Sequence, residues 1–475
     1  MPTSGGVLAM ASGDLTTTRP ASGAAEQDPA SWWSATATAV RQLRAAVHPW
    51  PDVRAIAVTG QMHGVVVRGA DGRVLRPCLT WADERGGRHL HEMATAVDPA
   101  EVMRITANPL AAGMSVAKLV WLLHAEPDVW RATRSVLLPK DELRARLTGE
   151  RATDPSDASG TLLFDVDRQT WSDRLADAWE IDPSVLPPIV PSAADAGQLT
   201  SAAGAELGLP PAIPVVTGAG DTTTAALGMG VADPNGTGFL GLGTAAQLLV
   251  PTVSPVRDAR QRINVIRHAT PAGWCAMAAT LDGGGALAWL AQLLGLRAGA
   301  VDALLAEAEA ADPEHGITFI SHLSGERTPG MDPSARASFH GLTAAHGRAE
   351  LARSVLEGVA FALREGLDTL TDLGVAPRTL RMAGGGGRSL VWPRILADVL
   401  GQPITFATWP NASLLGAARL ADHGVTSVPY GPDEVTVDPD SARQRAADRR
   451  YGRYLTLRHE DRLVTSTDGR EGQDD

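Results

Sequence analysis

Residues 213–230 read IPVVTGAGDTTTAALGMG. An apolar, β-prone run is broken by a Gly-Ala-Gly turn, and an acidic residue then opens a Thr/Ala/Leu run suited to a short helix. Strand, glycine turn and helix form the building unit of α/β proteins, and their ligands sit at the strand ends. Comparable units lie on both sides. VRAIAVTG (53–60) reads as a buried strand ending in GQMHG (60–64), and VVVRGADGRVLRP (65–77) as a hairpin turning at Asp71-Gly72. GTGFLGLGTAAQLLV (236–250) reads as two strands around a glycine turn, and LRMAGGGGRSLVWPRILADVLG (380–401) as strand, glycine run and helix. Helices are expected over 28–47, opened by Asp28-Pro29, over 284–296, and over 348–370. In the last of these, Leu351, Val355, Val359, Leu363 and Leu367 recur every fourth position. Two α/β lobes meeting near Val216–Gly230 follow: an N-terminal lobe over 1–228, a C-terminal lobe over 229–462, and a polar, acidic tail over 463–475 expected to be disordered.

A length of 475 residues is too great for one ordinary core, and 44% hydrophobic with 20% charged residues is ordinary globular composition. A net charge of −12 argues against a nucleic-acid or anionic-membrane surface. Apolar runs fall short of the ~20 residues that span a bilayer, and no basic, then apolar, N-terminal pattern marks a signal peptide. Two cysteines, Cys78 and Cys275, make a disulfide framework or thiolate zinc site a poor reading; a reducing cytoplasm fits. Lysine occurs only at 118 and 140, so any anionic substrate must be held by backbone N–H groups and arginines.

Asp221 follows a strand and begins a helix, which N-capping alone would explain. Gly218 and Gly220 beside it clear side chains away and would let another molecule approach. A carboxylate there suits general-base work on a hydroxyl. In LGLGTAAQ (240–247), Gly243-Thr244 reads first as a hairpin turn and second as a nest for phosphate oxygens. Four consecutive glycines, 384–387, are costly to order between strand and helix, so loop filling explains them poorly. Gln61 and His63 offer donors and acceptors to hydroxyl groups while Met62 packs, although a satisfied core histidine beside a packing methionine would look the same. No P-loop, G-x-G-x-x-G fingerprint, His-Glu-x-x-His or G-x-S-x-G motif is present, and no metal-ligand cluster stands out.

Taken together, EQDPASWW (26–33), GQMHG (60–64), LLPKDELRARLTGE (137–150), SDASGT (156–161), GAGDTTTAALGMG (218–230), GLGT (241–244), LSGERTP (323–329), FHGLT (339–343), RSVLEGVAFAL (353–363), GGGGRS (384–389) and LGAARLA (415–421) resemble the FGGY carbohydrate kinases, in order along nearly the whole chain. Within that family the resemblance is strongest to kinases acting on D-xylulose. It implies an actin-like ATPase fold, two ribonuclease-H-like lobes around a cleft, and ATP- and Mg²⁺-dependent conversion of D-xylulose to D-xylulose 5-phosphate. It implies Asp221 as base and Gln61, Met62, His63 and Thr222 as the sugar side. It also implies Gly243, Thr244, Gly285, Gly385, Gly386 and Ser389 as the nucleotide side, and often a homodimer. Two departures stand out. Thr222 occupies a position where these kinases usually have Asn. The family's opening strand and hairpin, with an Asp-x-Gly-Thr phosphate loop, is not matched, so the resemblance begins about two strands in. The expected explanation is a start placed too late. A kinase for another ketose or polyol, and a catalytically impaired sugar- or nucleotide-binding protein, remain the alternatives.

Overall fold

The computed structural model describes residues 7–234, 236–270, 273–297, 301–406, 411–422 and 434–471. In the N-terminal half, α1 (Pro29–Ala46) starts as the sequence predicts. The Asp28 carboxylate accepts the Ala30 N–H at 2.9 Å, and Trp32 and Trp33 are buried. β1 (Thr59–Gly60) is followed by β2 (Val66–Arg68), which pairs antiparallel with β3 (Ser135–Leu137). The hairpin after β2 turns where expected: Gly72 has φ 76°, and the Leu75 N–H reaches Val67 O at 2.9 Å. Next come α2 (Pro139–Thr148), the short α3 (Pro155–Ser159) and β4 (Ala219–Gly220), which runs parallel to β1. Helix α4 (Asp221–Gly228) leaves β4 directly.

The run 53–60 departs from the expected buried strand. Only Thr59–Gly60 is strand, Ile56 makes a single parallel bridge to Val215, and 53 to 57 are half-buried or exposed. Among the described residues this segment pairs on one side only, and a β-strand buries both faces and edges only when partners flank it.

The C-terminal half is built on one seven-stranded sheet. Its first four strands are β5 (Thr237–Leu242), β6 (Ala246–Thr252), β7 (Asn264–Arg267) and β8 (Trp274–Thr280); α5 (Gly284–Leu293) and α6 (Arg348–Asp372) follow. Then come β9 (Thr379–Ala383), α7 (Val391–Leu400), β10 (Ile404–Phe406), α8 (Ala412–Ala421), β11 (Val435–Val437) and α9 (Ser441–Glu471). The spatial order is β7-β8-β6-β5-β9-β10-β11, with β5, β9 and β10 mutually parallel and the other pairings antiparallel. The four-residue repeat of α6 does what its periodicity predicts: Val355, Val359, Leu363 and Leu367 are buried in the main core with Leu248, Leu380 and Leu396. Helix α9 has Tyr451 and Tyr454 anchored in the core and runs to Glu471; 472–475, the end of the tail expected to be disordered, lie outside the described residues. No described helix is long and apolar enough to cross a membrane.

The two halves are joined helix to helix. A Cβ added to Gly228 would lie 1.9 Å from Ala412 O, and one added to Gly416 would lie 1.8 Å from Thr224 O. Helices α4 and α8 thus meet backbone to backbone, and the Ser413 hydroxyl donates to Asp221 O at 3.0 Å.

Candidate active site

The glycines that bracket Gln-Met-His have a steric reason. A Cβ on Gly60 would meet the Lys140 backbone nitrogen at 3.2 Å, and one on Gly64 would meet Pro139 Cγ at 2.5 Å. The start of α2 is therefore seated directly on the loop after β1. Gln61 is tied down: its amide donates to Gln27 Oε1 at 2.9 Å and its oxygen accepts the Trp81 N–H at 3.4 Å. Met62 is buried in a small core with Ala225, Ala226 and Met229, so it supports α4 instead of facing outward. His63 is different. It holds a left-handed backbone (φ 65°), which costs a non-glycine residue roughly 1 kcal/mol or more. Its Nδ1 lies 2.7 Å from Gly160 O. Burial pushes the imidazole down to about 3, so the ring is neutral. A carbonyl can only accept, so Nδ1 carries the proton and Nε2 is left as an acceptor.

Asp221 is the first residue of α4, with Gly220 at the cap position, so it is not the N-cap that position alone suggests. Its Oδ1 accepts from the Thr222 N–H at 2.7 Å and hydroxyl at 3.4 Å. Burial raises its carboxyl to about 6, and the Thr222 hydrogen bonds oppose a further rise. Gln247 of β6 donates to the Thr222 hydroxyl at 3.3 Å, which connects the start of α4 to the sheet of the other half. The Thr222 side chain thus faces Asp221 and Gln247. The expectation that Gly218 and Gly220 open space for a ligand is corrected. A Cβ on Gly218 would lie 1.9 Å from Val58 O, and one on Gly220 would lie 2.6 Å from Met62 Cγ, so the chain itself fills both spaces. Sequence shows that room is needed but not who takes it.

On the opposite side, Gly243 and Thr244 are exposed in the turn between β5 and β6. Their carbonyls accept N–H groups from the start of α5: Gly284 to Gly243 O at 2.7 Å, Gly283 and Gly285 to Thr244 O at 2.8 and 3.0 Å. Gly285 therefore braces the turn. In the glycine run, Gly385 is exposed with nothing within 4 Å of an added Cβ, whereas Gly386 is buried with Leu242 Cδ2 at 2.2 Å. Ser389 is half-buried and its hydroxyl accepts the Val391 N–H at 3.3 Å at the start of α7. The run is one turn of 3₁₀ helix over Gly385–Arg388.

Sequence reasoning left several charged groups without a place. Lys140 Nζ lies 2.6, 3.0 and 3.1 Å from Asp141, Asp154 and Asp157, and all four side chains are fully buried. Arg144 joins at 3.0 Å from Asp141. Two cations face three carboxyls, and burial with Asp154 and Asp141 alongside holds Asp157 well above the usual carboxylate range. Asp154 also accepts the Ser156 hydroxyl at 2.6 Å, and Ser156 Oγ accepts the Gly220 N–H at 3.0 Å, so the network anchors the turn that presents Asp221. Lys118 is buried with Nζ on Gly113 O at 2.5 Å, and burial lowers it to about 8. The available signal was the scarcity of lysine: the chain keeps two and buries both. Among the described residues the one potential metal-ligating group of three or more is His89, Glu92 and His124, which belongs to neither set of loops.

Residues 1–228 match the FGGY family of carbohydrate kinases, N-terminal domain, and residues 239–424 match the C-terminal domain of the same family. The chain is 37% identical to the xylulose kinase of Escherichia coli (strain K12) over 462 residues, covering 95% of this chain and 94% of that one. It is 37% identical to the Klebsiella pneumoniae xylulose kinase, covering 96% and 93%. Among solved structures, the xylulose kinase from Rhodospirillum rubrum superposes with a TM-score of 0.85 at 31% identity, covering 95% of this chain and 93% of that one. The gluconate kinase from Lactobacillus acidophilus, 23% identical and covering 98% of this chain and 95% of that one, shares the fold with a TM-score of 0.89. The lobes therefore have the two-domain, actin-like architecture of sugar kinases. With both domain matches in order along one chain, and Asp221 near the end of the first, the chain belongs to the FGGY family of carbohydrate kinases.

Proposed function

We propose that the protein is an ATP-dependent kinase that converts D-xylulose to D-xylulose 5-phosphate. The observation that carries this reading is the position of Asp221. Its carboxyl, raised to about 6, lies on the same lobe as His63 and is tied through Thr222 and Gln247 to the sheet that presents Gly243-Thr244. The relatives named xylulose kinase supply the choice of sugar.

In this reading the His63 Nε2 accepts a hydrogen bond from a sugar hydroxyl, with Nδ1–H on Gly160 O fixing the ring. Asp221 takes the proton of the attacking hydroxyl as its oxygen bonds to the γ-phosphorus of ATP and the bond to the β-phosphate oxygen breaks. A carboxyl near 6 is ionised at neutral pH and basic enough to accept that proton late in the displacement. The exposed Gly243-Thr244 turn and the open Gly385 face the nucleotide, while Gly285, Gly386 and Ser389 keep those turns in shape. Mg²⁺ would neutralise phosphate charge. The described residues offer Asp221 but no three-ligand cluster at these loops, a donor set that fits a hard cation held mainly by phosphate oxygens and water.

One observation favours a second reading. The Thr222 hydroxyl is engaged by Asp221 and Gln247, so a sugar hydroxyl that an Asn would hold must find another partner. That permits a different ketose or a polyol. ADP release measured across ketoses and polyols tests both. Highest kcat/KM on D-xylulose supports the proposal, preference for another sugar supports the second reading, and no release with any sugar refutes kinase function.

A further inference from the structure

The segment LSGERTP (323–329) has no role in the account above, yet it is firmly mounted beside the phosphate turn. The Thr328 N–H donates to Ala279 O at 3.0 Å, its hydroxyl accepts the Ala279 N–H at 3.1 Å, and that hydroxyl donates to Arg262 O at 2.9 Å. Thr328 is thereby stitched to the end of β8. The Ser324 N–H and hydroxyl hold the Asp282 carboxylate at 3.1 and 3.0 Å, immediately before the glycines that brace Gly243-Thr244. Glu326 turns away to Arg458 and Arg462.

Arg327, between these anchors, is half-buried. Among the described residues its guanidinium makes no hydrogen bond and no ion pair. Its neighbours Arg458 and Arg462 both reach Glu326, so the local chain does supply carboxylates to the arginines that need them. Burial alone lowers the Arg327 pKa, as expected for a cation that loses water and gains no counter-charge. Its field reaches across to the N-terminal half, where it depresses both His63 and Lys118. A partly desolvated guanidinium without a partner is costly to keep. Its planar fork matches phosphate oxygens better than any other side chain. Arg327 therefore stands within electrostatic range of the sugar side while its backbone is fixed beside the phosphate turn.

We propose that Arg327 is a further catalytic residue that binds the phosphoryl group from the sugar side, first in transfer and then as the ester of the sugar phosphate product. It donates hydrogen bonds and neutralises charge; it exchanges no proton, since the hydroxyl proton goes to Asp221 and the bond to the β-phosphate oxygen breaks to release ADP. The assignment rests on the proposed kinase reading.

The test compares wild type with Arg327→Gln and Arg327→Lys, measuring ADP release and the binding of D-xylulose and of D-xylulose 5-phosphate by calorimetry. Losing one charge-assisted hydrogen-bond pair should weaken sugar-phosphate binding in Arg327→Gln by about 10- to 100-fold. Its kcat should fall roughly 10²-fold or more, with D-xylulose affinity within about twofold. Arg327→Lys should recover part of the phosphate affinity. Unchanged sugar-phosphate affinity, or equal losses for sugar and sugar phosphate, would overturn the proposal. Should wild type release no ADP with any ketose, the kinase reading fails by itself. Inorganic phosphate binding to the wild type and Arg327→Gln then decides whether Arg327 is an anion site.

Discussion

Replacing Asp221 by Asn should separate stability from turnover in a pH-dependent way. The side chains are nearly isosteric, and the Asn oxygen can still accept from the Thr222 N–H, so packing is preserved. What changes is the cost of a buried charge. The Asp221 carboxyl rises from 3.8 to about 6 on folding because burial disfavours its ionised form. A rise of about two units corresponds to roughly 3 kcal/mol, reduced to about 2–3 kcal/mol because the group keeps some hydration. The sign follows from proton counts. Between pH 4 and 6 the unfolded chain has released this proton while the folded chain holds it, so stability falls as pH rises, then levels off above about 6. Asn removes that penalty. Denaturant unfolding followed by tryptophan fluorescence should show Asp221→Asn more stable than wild type by about 2–3 kcal/mol at pH 8, with the difference vanishing toward pH 4. In parallel, kcat should drop by ~10² or more at every pH. Wild-type kcat/KM should decline about tenfold per unit below pH 6 as the base protonates. A stability difference that ignores pH, or a variant with full turnover, would refute the assignment of a buried carboxylate base.

Four further substitutions probe other parts of the site. His63→Ala should raise the sugar KM at least about tenfold and leave the ATP KM within twofold, because one hydroxyl acceptor is lost; since the imidazole sits at about 3, wild type should show no inflection near 6.5 from this residue, and matching changes in both KM values would contradict a sugar-side role. Gly218→Ala should destabilise by at least about 2–3 kcal/mol in thermal or urea unfolding, because the new methyl would sit 1.9 Å from Val58 O at φ 78°; a neutral effect would mean the β1–β4 seam can open freely. Gly385→Ala should leave the melting temperature unchanged and raise the ATP KM, whereas Gly386→Ala should lower the melting temperature because Leu242 Cδ2 lies 2.2 Å from the added Cβ. The reverse pattern would exchange which of the two glycines faces the nucleotide.

Much of the fold was legible from local pattern. The Asp28-Pro29 helix start, the Asp71-Gly72 turn, the paired strands around Gly243 and the four-residue stripe of α6 all depend on interactions within a few residues, and all appear where periodicity and capping chemistry put them. The run 53–60 was over-read as a buried strand because its burial depends on flanking partners that it does not itself encode.

Within the site, the residue types were readable while their partners were not. Gly60, Gly64, Gly218 and Gly220 announced close approaches, but the approaching groups, Pro139, Lys140, Val58 and Met62, come from elsewhere in the fold. The sequence by itself determined that glycine turns and a carboxylate stand at strand ends, because backbone sterics and helix starts are local physics. Tertiary structure alone decided that the Asp221 carboxyl is raised, that His63 is neutral with Nε2 as the acceptor, and that Lys140 is neutralised while Arg327 is not. Desolvation and Coulomb interaction depend on distances between residues up to hundreds of positions apart, and only the folded chain sets those distances.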